Sequence, residues 1–142
     1  MRSISLRTCL LSFFLVGFIV AVFAQASPQS LTDKRERKKN LTVREYNTDA
    51  KGSSRWMDHL TVYNAKGLKI EEIEYATYGM RERIIFEYDA QDRCVKEVVY
   101  DDRNKVSRIR KYDFNPDGTR KTQYNYLPNG RLYSTKVYQY SN

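Results

Sequence analysis

The sequence predicts an all-β fold. It is an antiparallel meander of about eight short strands joined by tight turns, a single twisted or curled sheet that stays open or closes toward a barrel. Three observations predict it. Turn signals recur from Leu41 onward, at Asn64–Gly67, Ala76–Gly79, Asp89–Asp92, Asp101–Asn104, Asn115–Gly118 and Leu127–Gly130. Their last residues stand 12, 13, 12, 14 and 12 positions apart, the length of one strand plus one turn. The segments between are rich in Tyr, Val, Ile and Thr, alternate in polarity and carry no helical period.

Taken in order, the chain opens with Arg2 and Arg7, then an apolar run from Leu10 to Phe23, then Ala24-Gln25-Ala26. Basic residues, an apolar run and small residues are the order of a secretory signal peptide, here 1–26, cleaved after Ala24 or Ala26. The run is shorter than the ~20 residues a spanning helix needs, which favours cleavage over a retained anchor. Cys9 precedes the run, so it is not placed for lipidation. Removing this segment takes away two of the 25 Lys+Arg and leaves 23 against 17 Asp+Glu, a net of about +6. A single cysteine, Cys94, then remains, so the domain relies on sheet pairing and burial instead of an internal disulfide.

Residues 27–40 are polar, without an apolar period, and end in the charge run Lys34 to Lys39. They read as a basic disordered linker, facing solvent or anionic envelope surfaces. Residues 41–142 form the β-repeat domain, with strands expected near 41–47, 55–63, 68–75, 80–88, 93–100, 105–113, 119–126 and 131–140. The loop at 47–54 is a looser first turn. The turns end in Gly67, Gly79, Asp92, Asn104, Gly118 and Gly130, residues that tolerate a positive φ and suit a type I turn closed by a G1 bulge. Asn115-Pro116-Asp117-Gly118 fits best, its proline pre-set for the second turn position.

A tyrosine precedes most turns: Tyr63, Tyr75, Tyr88, Tyr100, Tyr112 and Tyr126. If residues flanking each turn face each other, Glu74 meets Arg81, Glu72 meets Arg83, Glu97 meets Arg108 and Asp113 meets Arg120. That register sorts the faces. One collects Trp56, Leu60, Val62, Ile73, Tyr75, Met80, Ile84, Phe86, Tyr88, Val95, Val99, Val106 and Tyr112. The other collects Glu72, Glu74, Arg81, Arg83, Glu87, Lys96, Lys105 and Lys111. An apolar face of that size calls for curling, a partner or self-association. An outer-membrane barrel is rejected, because its strands run ~9–11 residues with a clean apolar exterior.

The units Tyr88-Asp89 through Asp92-Arg93, Tyr112-Asp113 through Gly118 and Tyr126 through Gly130-Arg131-Leu132 resemble the YD repeat of the RHS family, over roughly residues 63 to 140. The resemblance implies exported, tyrosine-rich antiparallel β-structure, as in small envelope proteins of Gram-negative bacteria. It also implies carbohydrate contact, which has been proposed for such repeats, and it carries over no catalytic residue.

His59 stands alone, too isolated for a metal site or a nucleophilic relay. Glu71, Glu72 and Glu74, or Asp101 and Asp102, could supply a glycosidase carboxylate pair, but cross-strand pairing and turn formation account for them. There is no nucleotide fingerprint, and no cofactor is expected. Tyrosines with interleaved cations also suit single-stranded nucleic acid, which export argues against. Near the C-terminus the apolar content falls, so Tyr124, Tyr126, Tyr133 and Tyr138 with Arg120, Lys121, Arg131 and Lys136 are the candidate binding surface. The expectation is an exported, non-enzymatic binding or scaffold module in the periplasm, on the cell surface or secreted. Its partner is a glycan or a protein, or a second copy through the apolar face. A small glycan hydrolase and an inhibitor or immunity partner are the alternatives.

Overall fold

The computed structural model of the chain describes residues 28–141. The signal segment at 1–26 lies outside the described residues. One helix, α1 (Pro28–Glu36), precedes eight strands: β1 (Thr42–Thr48), β2 (Arg55–Tyr63), β3 (Lys69–Ala76), β4 (Gly79–Tyr88), β5 (Cys94–Tyr100), β6 (Val106–Phe114), β7 (Arg120–Tyr126) and β8 (Leu132–Val137). The strands form one antiparallel meander in the order β1 to β8. β1 and β8 are not paired, so the sheet is open and does not close into a barrel. Every predicted strand is present, seven of them within one residue of both expected ends; β8 stops at Val137 instead of 140.

The turns follow one backbone code. In each of five, the fourth residue donates its amide to the first residue's carbonyl, and the first residue's amide reaches the carbonyl of the fifth, as in Gly118 N to Asn115 O and Asn115 N to Thr119 O. The fourth residue lies at positive φ in all five, including Asp92 (60°) and Asn104 (57°). The opening side chain secures several of them. The Oδ1 atoms of Asn64, Asp89 and Asp101 each accept two downstream amides. The first loop contains the same hydrogen-bonded corner, Gly52 N to Asp49 O.

Each hairpin then slips by one residue just past its turn, between Val62 and Tyr63, Glu74 and Tyr75, Glu87 and Tyr88, Val99 and Tyr100, Asp113 and Phe114, and Asn125 and Tyr126. The repeat aromatic marks that bulge. In β6 it is Phe114, not Tyr112. A bulge adds an unpaired residue and local twist. The sequence register assumed none, so most of its ion pairs are displaced. Arg81 does reach Glu74 at 2.8 Å. Arg83 instead pairs with Glu71, and Glu72 takes Lys69 at 2.8 Å. Arg108 crosses to Glu82 and Arg110 takes Glu97, each at 2.7 Å. Asp113 accepts the Tyr124 hydroxyl at 2.9 Å, while Arg120 lies over the Tyr112 ring.

Between β3 and β4, whose turn has no second offset, the slip corrects the faces, since a one-residue shift sends side chains to the opposite side. Thr61, Glu72, Ile84, Val99 and Arg108 face one side as successive cross-strand partners, and Val62, Glu71, Ile85, Val98 and Ile109 face the other. Leu60 and Ile73 join Arg83 on that second side. The expected apolar face is therefore divided between two mixed faces. Burial concentrates at the middle strands, where Val99 is fully buried and Val98, Glu97 and Tyr112 nearly so. Cations stacked on rings, such as Arg120 on Tyr112 at 4.2 Å and Lys69 on Phe86 at 4.7 Å, cover aromatic surface that no second layer covers.

The linker is also corrected. Pro28–Glu36 is helical, and Lys34 and Arg35 in its last turn suit the negative end of the helix dipole. Residues 37–40 complete a turn that ends in Asn40 N to Asn64 O. The end of α1 lies against the β2–β3 turn so closely that a Cβ on Gly67 would overlap the Arg35 carbonyl. Gly67→Ala is therefore expected to displace α1 as well as strain a residue at φ 71°. Gly118→Ala meets open space and costs only the strain, about 1 kcal/mol. Amide exchange checks this: faster exchange throughout α1 in Gly67→Ala, and none of that acceleration in Gly118→Ala.

Candidate functional site

The β2–β3 and β4–β5 turns share one end of the sheet with α1. Between them lies an open groove of about 790 Å³, lined by Lys34, Arg35, Lys38, Lys39 and Lys66 together with Glu36 and Asp92. Five cations against two carboxylates leave a net +3. The ion pairs fix the floor and leave the rim charged. Asp92 accepts Lys66 Nζ at 2.9 Å and Arg35 Nη1 at 3.4 Å, tying both turns to the helix. Lys39 pairs with Glu36 at 2.7 Å, and Lys38 sits 5.0 Å over the Tyr63 ring. Asp92 is the repeat position where glycine is expected. Here it accepts the positive φ in exchange for a carboxylate that bridges two turns and a helix.

The sequence-predicted residues occupy the other edge of the sheet, and β7 divides them between its two sides. Tyr124 pairs with Lys111, and the Lys111 ammonium stands 5.3 Å over the Tyr126 ring. The hydrogen bond to Asp113 pushes the Tyr124 pKa up. On the opposite side, Lys136 pairs with Gln123 and stands 5.0 Å over the Tyr138 ring, whose hydroxyl donates to Gln123 Oε1 at 3.0 Å. Arg120 is engaged with Tyr112. Lys121 and Arg131 are exposed near the two ends of β7, and Tyr133 is 61% exposed on the edge strand. No one surface displays all eight.

A smaller hollow of about 150 Å³ gathers His59, Glu72, Glu74 and Glu82 beside Ile84. His59, Glu74 and Glu82 are cross-strand partners in one row. Glu72, Glu74 and Glu82 each have their own cation, Lys69, Arg81 and Arg108 respectively, which accounts for like charges standing opposite each other. Among the described residues, no group of three or more His, Cys, Asp or Glu is arranged to hold a metal ion. Tyr88 shows the structural use of the repeat tyrosine. Its hydroxyl donates to Lys69 O at 2.7 Å, and burial pushes its pKa up to about 12. Cys94 is half-buried, and burial raises its thiol pKa, so it stays a protonated thiol at neutral pH.

The groove escaped sequence reasoning because the charge run looked solvated. The signal that could have found it is Pro28 as a helix opener followed by residues without β-branching to Lys39, apart from Thr32.

No protein-family model matches the chain, and no curated protein matches it. Among solved structures, it is 18% identical, with a TM-score of 0.28, to a chain described as a mutant of S. aureus TarM in complex with fondaparinux, alpha-GlcNAc-glycerol and UDP. The match covers 72% of this chain and 20% of that one. A likeness of that size carries no inference about fold or function. Among the described residues, no helix is long and apolar enough to cross a membrane.

Proposed function

We propose that this chain is an exported, non-enzymatic β-repeat module that binds an anionic glycan at the cell envelope or outside the cell. The observation that carries the reading is the basic groove, a cleft of ligand size whose cations outnumber its carboxylates five to two. Its floor is held by the Asp92 ion pairs, so the rim lysines are presented by a framework and not by a loose tail. Export rests on the signal-like order of residues 1–26, and the glycan class on the YD-like units together with the location that export implies. The ion-paired carboxylates of the smaller hollow favour a structural role over hydrolysis there.

Titration with fluorescent dextran sulfate, against neutral dextran, tests this. The sulfated polymer is expected to bind, with affinity falling as salt rises. Lys34→Glu/Lys38→Glu should weaken binding about tenfold. Arg103→Glu/Lys105→Glu makes the same charge change at the opposite end of the sheet and should leave affinity nearly unchanged. Equal losses for the two pairs, or no binding at low salt, would overturn the groove as the site.

A further inference from the structure

We infer that β8 is a pairing edge for a second copy of this chain, which extends the sheet across a twofold axis through Thr135. The two sheet edges are unlike. β1 carries Arg44 and Glu45 in mid-strand, charges that discourage strand addition. β8 and the chain just after it carry a single charged residue, Lys136, and no proline. They also hold four of the seven large hydrophobics exposed among the described residues, Leu132, Tyr133, Val137 and Tyr140.

The backbone supplies the rest. Tyr138 N–H bonds inward to Lys121 O. By the alternation of an antiparallel ladder, Lys136 and Ser134 bond inward too, while Thr135 and Val137 turn their amide groups outward; Tyr133 is the residue skipped where the β7–β8 register shifts. A twofold axis perpendicular to the sheet pairs residues of like facing. Centred on Thr135, it sets Thr135 opposite its own copy, Tyr133 opposite Val137 of the partner subunit, and Ser134 opposite Lys136 of the partner subunit. The outward amide of Thr135 then meets the carbonyl of its own copy. The aromatic meets a β-branched side chain, threonine meets threonine, and no like charges face each other. The contact is isologous and closes at two copies. It is independent of the basic groove, which lies at the β2–β3 and β4–β5 turns.

Light scattering on the purified protein at micromolar concentration should give the mass of a dimer. Thr135→Pro removes an outward amide only, which edge strands tolerate. It should yield a monomer with unchanged far-ultraviolet dichroism. In a background with Cys9 and Cys94 replaced by serine, Thr135→Cys should form a covalent dimer under mild oxidation. Hydrogen-bonded partners stand about 5.5 Å apart at Cα, within disulfide reach. An exposed control, Asp102→Cys, should cross-link far less. A monomeric native protein, an open-ended polymer of the kind β8-to-β1 pairing would make, or a Thr135→Pro variant that stays dimeric would each overturn the proposal.

Discussion

Arg110→Ala is expected to destabilise the sheet by about 3 kcal/mol, the scale of an uncompensated buried charge. The Glu97 side chain is only 11% exposed, on β5 near the middle of the sheet, and Arg110 Nη1 donates to it at 2.7 Å. Burial alone would lower the Arg110 pKa, and the Glu97 hydrogen bond more than reverses it, holding the guanidinium charged. The Tyr112 phenol is pushed up in turn by burial and by the same carboxylate, so it stays a neutral donor. Removing Arg110 leaves Glu97 desolvated without its counter-charge. Two controls separate this from lost packing. Glu97→Gln in the Arg110→Ala background should recover much of the loss, because the amide buries no charge. The Arg110→Ala defect should also shrink as pH falls. Protonating the stranded carboxyl removes the uncompensated buried charge. Urea unfolding of the native chain, Arg110→Ala and the double variant near neutral and at acid pH measures both. A defect independent of pH and of Glu97→Gln would refute the charge argument.

How much of this was legible in the sequence depends on how local each cause is. A G1-bulge turn is decided by four adjacent residues, so Asn115-Pro116-Asp117-Gly118 and its fellows announced the strand ends to within a residue or two. The second bulge, beside each repeat aromatic, is a backbone irregularity of the paired strands. No residue type demands it; missing it moved Arg83 by one position, from Glu72 to Glu71, and missing it together with the bulge at the turn moved Arg108 by two, from Glu97 to Glu82. It also turned one apolar face and one charged face into two mixed ones. Tyr124, Tyr126 and Tyr133 fall on the expected strands, but the division of the C-terminal tyrosines between two sides follows from pairings that only the folded sheet defines. The groove depends on a helix docking against Gly67, a contact between segments that sequence patterns treat separately.

Those mixed faces locate the second large effect, at Val99. A one-layer sheet has no opposing layer to bury its residues, yet Val99 is completely inaccessible. Its cross-strand neighbours are Ile84 and Arg108, and Arg108 reaches over β5 to Glu82 at 2.7 Å. The arginine stem thus roofs the valine, and its ion pair fastens the roof. The arrangement has a cost, since Arg108 Nε is buried without a partner. Val99→Ala should lose about 2 kcal/mol, two buried carbons plus the void a tied roof cannot fill. Val98, its neighbour on the opposite side, is 9% exposed and sits between Ile85 and Ile109, two apolar side chains that no ion pair fastens. Val98→Ala should therefore cost clearly less, because its surroundings can settle. The roof itself is tested by Glu82→Gln, which frees Arg108 while leaving every apolar atom in place. In that background the added cost of Val99→Ala should fall, giving a coupling of about 0.5 kcal/mol or more in a double-mutant cycle. Strict additivity would mean that Val99 is buried by its strand neighbours alone and that the ion pair plays no part in closing the sheet over it.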